Sequence, residues 1–245
     1  MRAVVFAGPT LPPRNRSSEP MVEWLPPVRQ GDLYRVARTR PAIIGIIDGY
    51  FEVTPTVWHK EILWAMAEGI HVFGAASIGA LRAAELDVFG MRGFGDIYEA
   101  YRDGTLIDDD EVAMLHGPAE LGYPPVTEAM VNIRVTFDAA LRQGIIDAAL
   151  AAELTDIGKT LFYKERTFAE IFDAAASRGA AARELARLTD WLPTGRVDQK
   201  RLDALDMLAA ICKSAASEEG RLQVDYKLAD TAAWKAAKRR VDEGG

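Results

Sequence analysis

The order of elements between residues 43 and 86 constrains this chain more than any other feature. Ile43-Ile44-Gly45-Ile46-Ile47 is apolar at nearly every position, as expected of a strand covered on both faces of a parallel sheet. Residues 57–68 follow with Trp58, Ile62, Ala65 and Met66 at helical spacing, which gives one apolar face. His71-Val72-Phe73-Gly74 reads as the next strand, and a second helix over Ile78–Leu86 comes at once. Strand, helix, strand, helix in this order predicts parallel βαβ units.

The flanks extend this α/β reading. Val4–Ala7 reads as a buried strand ended by Gly8-Pro9-Thr10, and residues 11–20 as a loop. Val22–Leu25 reads as another strand, Asp32 as the cap of a short helix over Leu33–Arg38, Gly95–Tyr101 as a short helix, and Val112–Leu115 as one more strand. From Thr127 onward the pattern is helical: Thr127–Arg142, Ile145–Gly158, Phe168–Ser177, Leu185–Trp191, Gln199–Ala216 and a basic helix at Ala229–Arg240. Thr167 and Glu170 form a capping-box pair, and Asp198 is placed to cap the helix after it. The expected division is an α/β core over residues 1–135 and a mainly helical region over 136–245, packed on the core or appended to it.

Charge and cysteine usage narrow the function classes. A formal net charge of −7 argues against a general nucleic-acid or anionic-membrane surface. No apolar run approaches the length that crosses a bilayer, and the start reads as a strand rather than a signal peptide. Cys212 is the single cysteine, which excludes an internal disulfide and a cysteine metal cluster. These features together point to the cytoplasm.

The chemistry-bearing candidates gather around the two parallel strands. Ser77, in Gly74-Ala75-Ala76-Ser77-Ile78-Gly79, lies between a strand and a helix. That is the setting of a nucleophile elbow, where small neighbours allow a sharp turn and the amides opening the helix, at Ile78 and Gly79, hold an oxyanion. The alternative is a serine that caps the helix. Lys60 is the only lysine in the first 158 residues, which hold twelve arginines. A lysine serves as a base when neutral, and arginine does not. With Thr56 as helix cap, Lys60 falls in or beside the first turn, near the strand ends where α/β sheets bind ligands. Asp48 and Thr10 open from the same edge. Arg82, about one turn beyond Ser77, suits a carboxylate or an internal ion pair with Glu85 or Asp48. His59 and His71 are weaker candidates for a serine–histidine pair. The run Asp108-Asp109-Asp110-Glu111 admits a magnesium reading, but a turn, a cap or a partner-facing surface fits consecutive carboxylates better, so no metal and no cofactor is expected.

Several segments then match one known family in order. Ile47-Asp48-Gly49-Tyr50-Phe51, Val57-Trp58-His59-Lys60-Glu61-Ile62-Leu63, Gly74 through Leu86, and Asp108 through Ala113 together resemble the TfuA family, accessory proteins of trifolitoxin biosynthesis. The resemblance is close over residues 43–135 and looser at the first strand and around Tyr163–Thr167. It implies a role beside YcaO enzymes, which activate backbone amides with ATP to make thioamides, and hydrolysis of the thiocarboxylate on a ThiS-like sulfur carrier. It also implies a Ser–Lys pair, which maps onto Ser77 and Lys60; Ile78 stands where methionine is expected, a change that conserves volume. Expected partners are thus a YcaO-type enzyme, the carrier and the precursor peptide. Two other readings stay open: a non-catalytic adaptor that brings peptide or carrier to YcaO, and a general small-ester or amide hydrolase.

Overall fold

In the computed structural model the described residues are 2–16, 19–52, 54–217 and 220–244. The chain divides into two compact units, one of residues 1–107 with 201–245 and one of residues 108–200.

The first unit is built on a five-stranded, all-parallel sheet in the order β2-β1-β3-β4-β5. Its strands are β1 (Ala3–Phe6), β2 (Val22–Leu25), β3 (Ile43–Ile46), β4 (His71–Ala75) and β5 (Arg92–Phe94). β3 and β4 are buried at every position, which explains the unbroken apolar sequence of β3 and that of β4 after His71. The helices are α1 (Asp32–Ala37), α2 (His59–Ala67), α3 (Ile78–Leu86) and α4 (Asp96–Arg102), with α9 (Gln199–Ala216) and α10 (Ala232–Gly244) returning from the end of the chain. Ala204, Met207, Leu208 and Ile211 of α9 pack with Ala3, Val5, Ile43 and Phe73 in one core cluster. Burying an aliphatic side chain of this size contributes about 1.5–3 kcal/mol, so α9 is firmly held on the sheet. α2 and α3 pack against β4.

Chain order reverses at β1: β2 lies on one side of it and β3 on the other. The loops after β1 and β3 therefore meet at the carboxyl edge, the place where open α/β sheets receive ligands. Here they are tied by Asp48, which is 1% exposed. Its Oδ2 accepts from the amides of Gly8 and Thr10 at 2.8 and 3.0 Å, and its Oδ1 from the Thr10 hydroxyl at 2.6 Å.

The second unit holds α5 (Met130–Arg142), α6 (Ala148–Thr160), α7 (Phe168–Ser177) and α8 (Ala182–Gly195). Their inward faces form one cluster that includes Met130, Ile133, Phe137, Leu154, Ile157, Ile171 and Leu188. The Thr167 hydroxyl accepts from the Glu170 amide and so caps α7, while Asp147 caps α6 through the Leu150 amide.

Several local expectations are corrected. Val112–Leu115 is not a strand: a 3-10 turn (Asp109–Glu111) leads into it and the segment itself is irregular chain. Side chains take its backbone groups, because the Val112 carbonyl accepts from Lys200 Nζ and the Leu115 amide donates to Thr127 Oγ1. Asp32 is the first residue of α1, and the cap position is Gly31 at φ +91°. The missing cap side chain is supplied by Glu61, whose carboxylate accepts from the amides of Gly31 and Tyr34. Nor does Thr56 cap α2: that helix starts at His59 after Trp58, whose amide donates to Glu61 as well. β5 was not foreseen as a strand. Of the loop expected over residues 11–20, Ser17 and Ser18 lie outside the described residues; Pro13–Asn15 form a 3-10 turn.

Candidate functional site

Ser77 follows β4 directly and opens α3. The turn before it is tight: Ala76 has φ +68°, and the Ser77 amide donates to the Ala75 carbonyl two residues back at 2.7 Å. This is a γ-turn of the strained, positive-φ kind, which is rare. Strain of this sort persists where its surroundings over-determine it, often at functional sites. The surroundings here are glycines. A Cβ on Gly79 would lie 1.8 Å from the Ile46 carbonyl oxygen, and one on Gly74 would lie 2.1 Å from the Gly79 carbonyl oxygen. Only hydrogen at both positions lets the start of α3 press onto the ends of β3 and β4. The Ser77 side chain makes no capping hydrogen bond to α3 and is 8% exposed, so the helix-cap alternative does not account for its hydroxyl.

Of the two amides expected to hold an oxyanion, that of Gly79 donates to the Ile47 carbonyl at 3.3 Å. The Ile78 amide is the first of the helix, one of the N–H groups that a helix leaves without an internal partner.

Lys60 is the second residue of α2. Its ammonium does not bond Ser77; it donates to Thr231 Oγ1 at 3.1 Å. Its neighbour His59 and Arg82 are brought together by Glu85. His59 Nε2 lies 2.7 Å from Glu85 Oε2, Arg82 Nη1 donates to the same oxygen at 2.6 Å, and Arg82 Nε donates to the Val57 carbonyl at 3.3 Å. Arg82 thus uses the internal partner Glu85 and ties the start of α2 to α3. Burial alone would push the Glu85 carboxyl up, but the bonds from His59 and Arg82 outweigh it and hold it below the ordinary carboxylate range. His71 sits under the end of the chain, its Nε2 donating to the Gly220 carbonyl at 2.7 Å.

The acidic run lies in the second unit, and three of its four carboxylates, Asp108, Asp110 and Glu111, have ion-pair partners there. Lys159 Nζ stands 3.0 Å from Asp108 Oδ2, 2.5 Å from Asp110 Oδ1 and 3.0 Å from Glu111 Oε1. Arg134 pairs with Glu111, and Arg166, 1% exposed, pairs with Asp110. An ammonium fills the point on which the three carboxylates converge, which fits the turn reading of this run.

Sequence reasoning missed three participants. Glu61 is buried, and desolvation pushes its carboxyl up despite three backbone donors; with Trp58 at the cap, the S/T-x-x-E signature that announces such a role is absent. Glu85 was seen only as a possible partner of Arg82. Thr231 belongs to a segment with a readable signal: Leu222, Val224, Tyr226 and Leu228 alternate with Arg221, Gln223, Asp225 and Lys227, a period-2 pattern.

Comparison with curated proteins gives no match. A family model, described as TfuA-like protein, matches residues 48–167. The matched span begins at Asp48, takes in Lys60, the Ser77 elbow and the acidic run, and ends at Thr167; over it the chain is similar to the TfuA-like family.

Proposed function

We propose that this chain hydrolyses the C-terminal thiocarboxylate of a ThiS-like sulfur carrier and releases sulfide to a YcaO-type enzyme that makes peptide thioamides. The observation that carries this reading is the elbow: a serine hydroxyl, unused as a cap, held at the carboxyl edge of a parallel sheet by a strained turn and two indispensable glycines. The match to the TfuA-like family model over residues 48–167 supports the setting.

In this mechanism Lys60, swung away from Thr231, acts as the base and takes the Ser77 proton. Ser77 Oγ bonds to the thiocarboxylate carbon, and the Ile78 amide stabilises the oxyanion. The tetrahedral intermediate collapses with cleavage of the carbon–sulfur bond. Sulfide leaves as HS⁻ with the proton that Lys60 returns. Lys60 then takes a proton from water, hydroxide attacks the acyl-serine, the carbon–Oγ bond breaks with Lys60 returning its proton to Ser77 Oγ, and the carrier departs as its carboxylate after losing the acid proton to solvent. Asp48 shapes the floor of the edge by fixing the loops after β1 and β3, and Thr10 lies beside it. No step calls for a metal or an organic cofactor.

The test is sulfide release from a thiocarboxylated carrier by purified protein, with Ser77→Ala as the control. Release by wild type that Ser77→Ala abolishes supports the reading; equal release by both overturns it. One observation favours the adaptor reading instead: Lys60 donates to Thr231 and not to Ser77. An adaptor would raise the YcaO reaction equally well as the Ser77→Ala protein.

A further inference from the structure

The end of the chain runs as an extended strap along α2. The Gly220 carbonyl accepts from His71, the Leu222 amide donates to the Gly69 carbonyl at 3.1 Å, the Tyr226 hydroxyl donates to the Leu63 carbonyl at 2.6 Å, and Thr231 receives Lys60 Nζ. These partners descend from 71 to 60 while the strap ascends from 220 to 231, so the strap runs antiparallel to α2 and arrives at its N-terminus. Leu222, Val224, Tyr226 and Leu228 are half-buried, and the residues between them are exposed. Tyr226 stacks edge-on against Phe89 at 5.7 Å. Among the described residues, 220–231 pair with no strand, although their alternation is that of a strand.

Two features set this segment apart from the rest of the unit. It is held by half-buried side chains and few backbone bonds, which places it at the easily opened end of local stability, whereas α9 buries Met207 and Ile211 completely. Its direction also matters. A second chain laid in the same track, in the same direction, would present its C-terminal end at Lys60, where an ammonium faces it.

We propose that the track along α2 is the docking groove for the extended C-terminal tail of a carrier protein, and that residues 220–231 are a strap that fills it at rest and is displaced by that tail. The occupant is an extended chain with apolar side chains at alternate positions and an anionic C-terminus. Its arrival breaks the Lys60–Thr231 bond and so releases the Lys60 side chain; the identity of the tail rests on the function proposed above. Substrate binding and release of Lys60 are then one event, and the resting chain holds Lys60 on Thr231 until a tail arrives.

The experiment is done in the full chain with Ser77→Ala, so that binding is read without turnover. A strap-loosened version carries Leu222→Ser, Tyr226→Ser and Leu228→Ser, with its fold checked by circular dichroism and thermal melting. The probes are a synthetic peptide of residues 220–231, acetylated and amidated, and a ThiS-like carrier in its carboxylate form. The peptide is expected to bind the loosened chain and not the unloosened one. The carrier is expected to bind the loosened chain about 5- to 10-fold more tightly, because the cost of displacing the strap is gone, and the peptide should compete with it. Hydrogen exchange in the unloosened chain should show amides 222–231 opening when carrier is added while α2 stays protected. The proposal is overturned if carrier and peptide bind without competing, if no carrier binds the loosened chain, or if exchange of 222–231 is unmoved by bound carrier. Carrier binding as described, together with no hydrolysis in the chain that retains Ser77, would leave the groove standing and remove the hydrolase reading.

Discussion

The elbow at Ser77 and the start of α2 at Lys60 are held in opposite ways. Ser77 is fixed by backbone: a γ-turn at Ala76, a hydrogen bond from its amide to the Ala75 carbonyl, and carbonyl oxygens of Ile46 and Gly79 so close to Gly79 and Gly74 that no Cβ fits there. Lys60 is fixed by a side-chain hydrogen bond to Thr231, in a segment without regular structure, and its helix is tied to α3 through the Glu85 carboxylate. Backbone packing of the first kind has no alternative arrangement of similar energy. Side-chain contacts of the second kind are exchangeable, each worth about 0.5–1.5 kcal/mol. In the proposed mechanism this pairs a rigidly built nucleophile with a base held reversibly, the arrangement expected of a site that waits for its substrate.

The largest effect tests the rigid half. Ser77→Ala should abolish sulfide release from a thiocarboxylated carrier while the thermal melt stays at the wild-type value, since the hydroxyl caps no helix. It should also retain binding to a YcaO partner, measurable by titration. A drop in melting temperature would show that the hydroxyl is structural.

Next comes the base. Lys60→Arg keeps the charge but does not accept a proton at ordinary pH. It should be nearly as inactive as Lys60→Ala, each losing about 10²–10⁴ in rate, whereas a charge-only role would let arginine rescue activity. An active Lys60→Arg protein would move attention to His59.

The third variant separates the two kinds of support. Gly79→Ala must push the start of α3 off β3, and overpacking of this severity, against backbone rather than a flexible side chain, costs about 3 kcal/mol or more. Chemical denaturation should read that loss. Thr231→Val, on the Lys60 side, should cost less than about 1 kcal/mol in the same measurement. Comparable losses would mean that both halves of the site are equally rigid.

How much of this was legible in the sequence follows the same physical line. β3, β4 and α3 were readable because burial on both faces writes an unbroken apolar run, and a tight turn writes small residues around Ser77. The bounds of α3, α7 and α9 were readable from helical spacing. β5 was not: three residues, Arg92-Gly93-Phe94, carry no period. The strand expected at Val112–Leu115 failed because Lys200 and Thr127, distant in sequence, claim its backbone. The cap at Asp32 failed because Glu61, nearly thirty residues away, serves two helix starts at once. The placement of Ser77 and Lys60 near the carboxyl edge follows from parallel topology alone. The Lys60–Thr231 bond does not, because the end of the chain returns to α2 through contacts that no local pattern specifies.

The smallest expected effect concerns the tie between α2 and α3. Glu85 is held below the ordinary carboxylate range, so its ion pairs favour the folded state above the unfolded carboxylate value, about 4.3, and that contribution fades as pH falls through the depressed folded value. Glu85 and His59 have side chains 40% and 47% exposed, so solvent screening leaves less than about 1 kcal/mol in the network. Glu85→Gln should therefore lower the melting temperature by less than about 3 °C at neutral pH and low salt. The gap should narrow in 1 M salt, where the Debye length is about 3 Å, and close as the pH drops below the carboxylate range. If the gap persisted at low pH and high salt, the Glu85 side chain would be acting by packing. The start of α2 would then be as firmly set as the elbow, and the contrast between a fixed nucleophile and a releasable base would rest on the Thr231 contact alone.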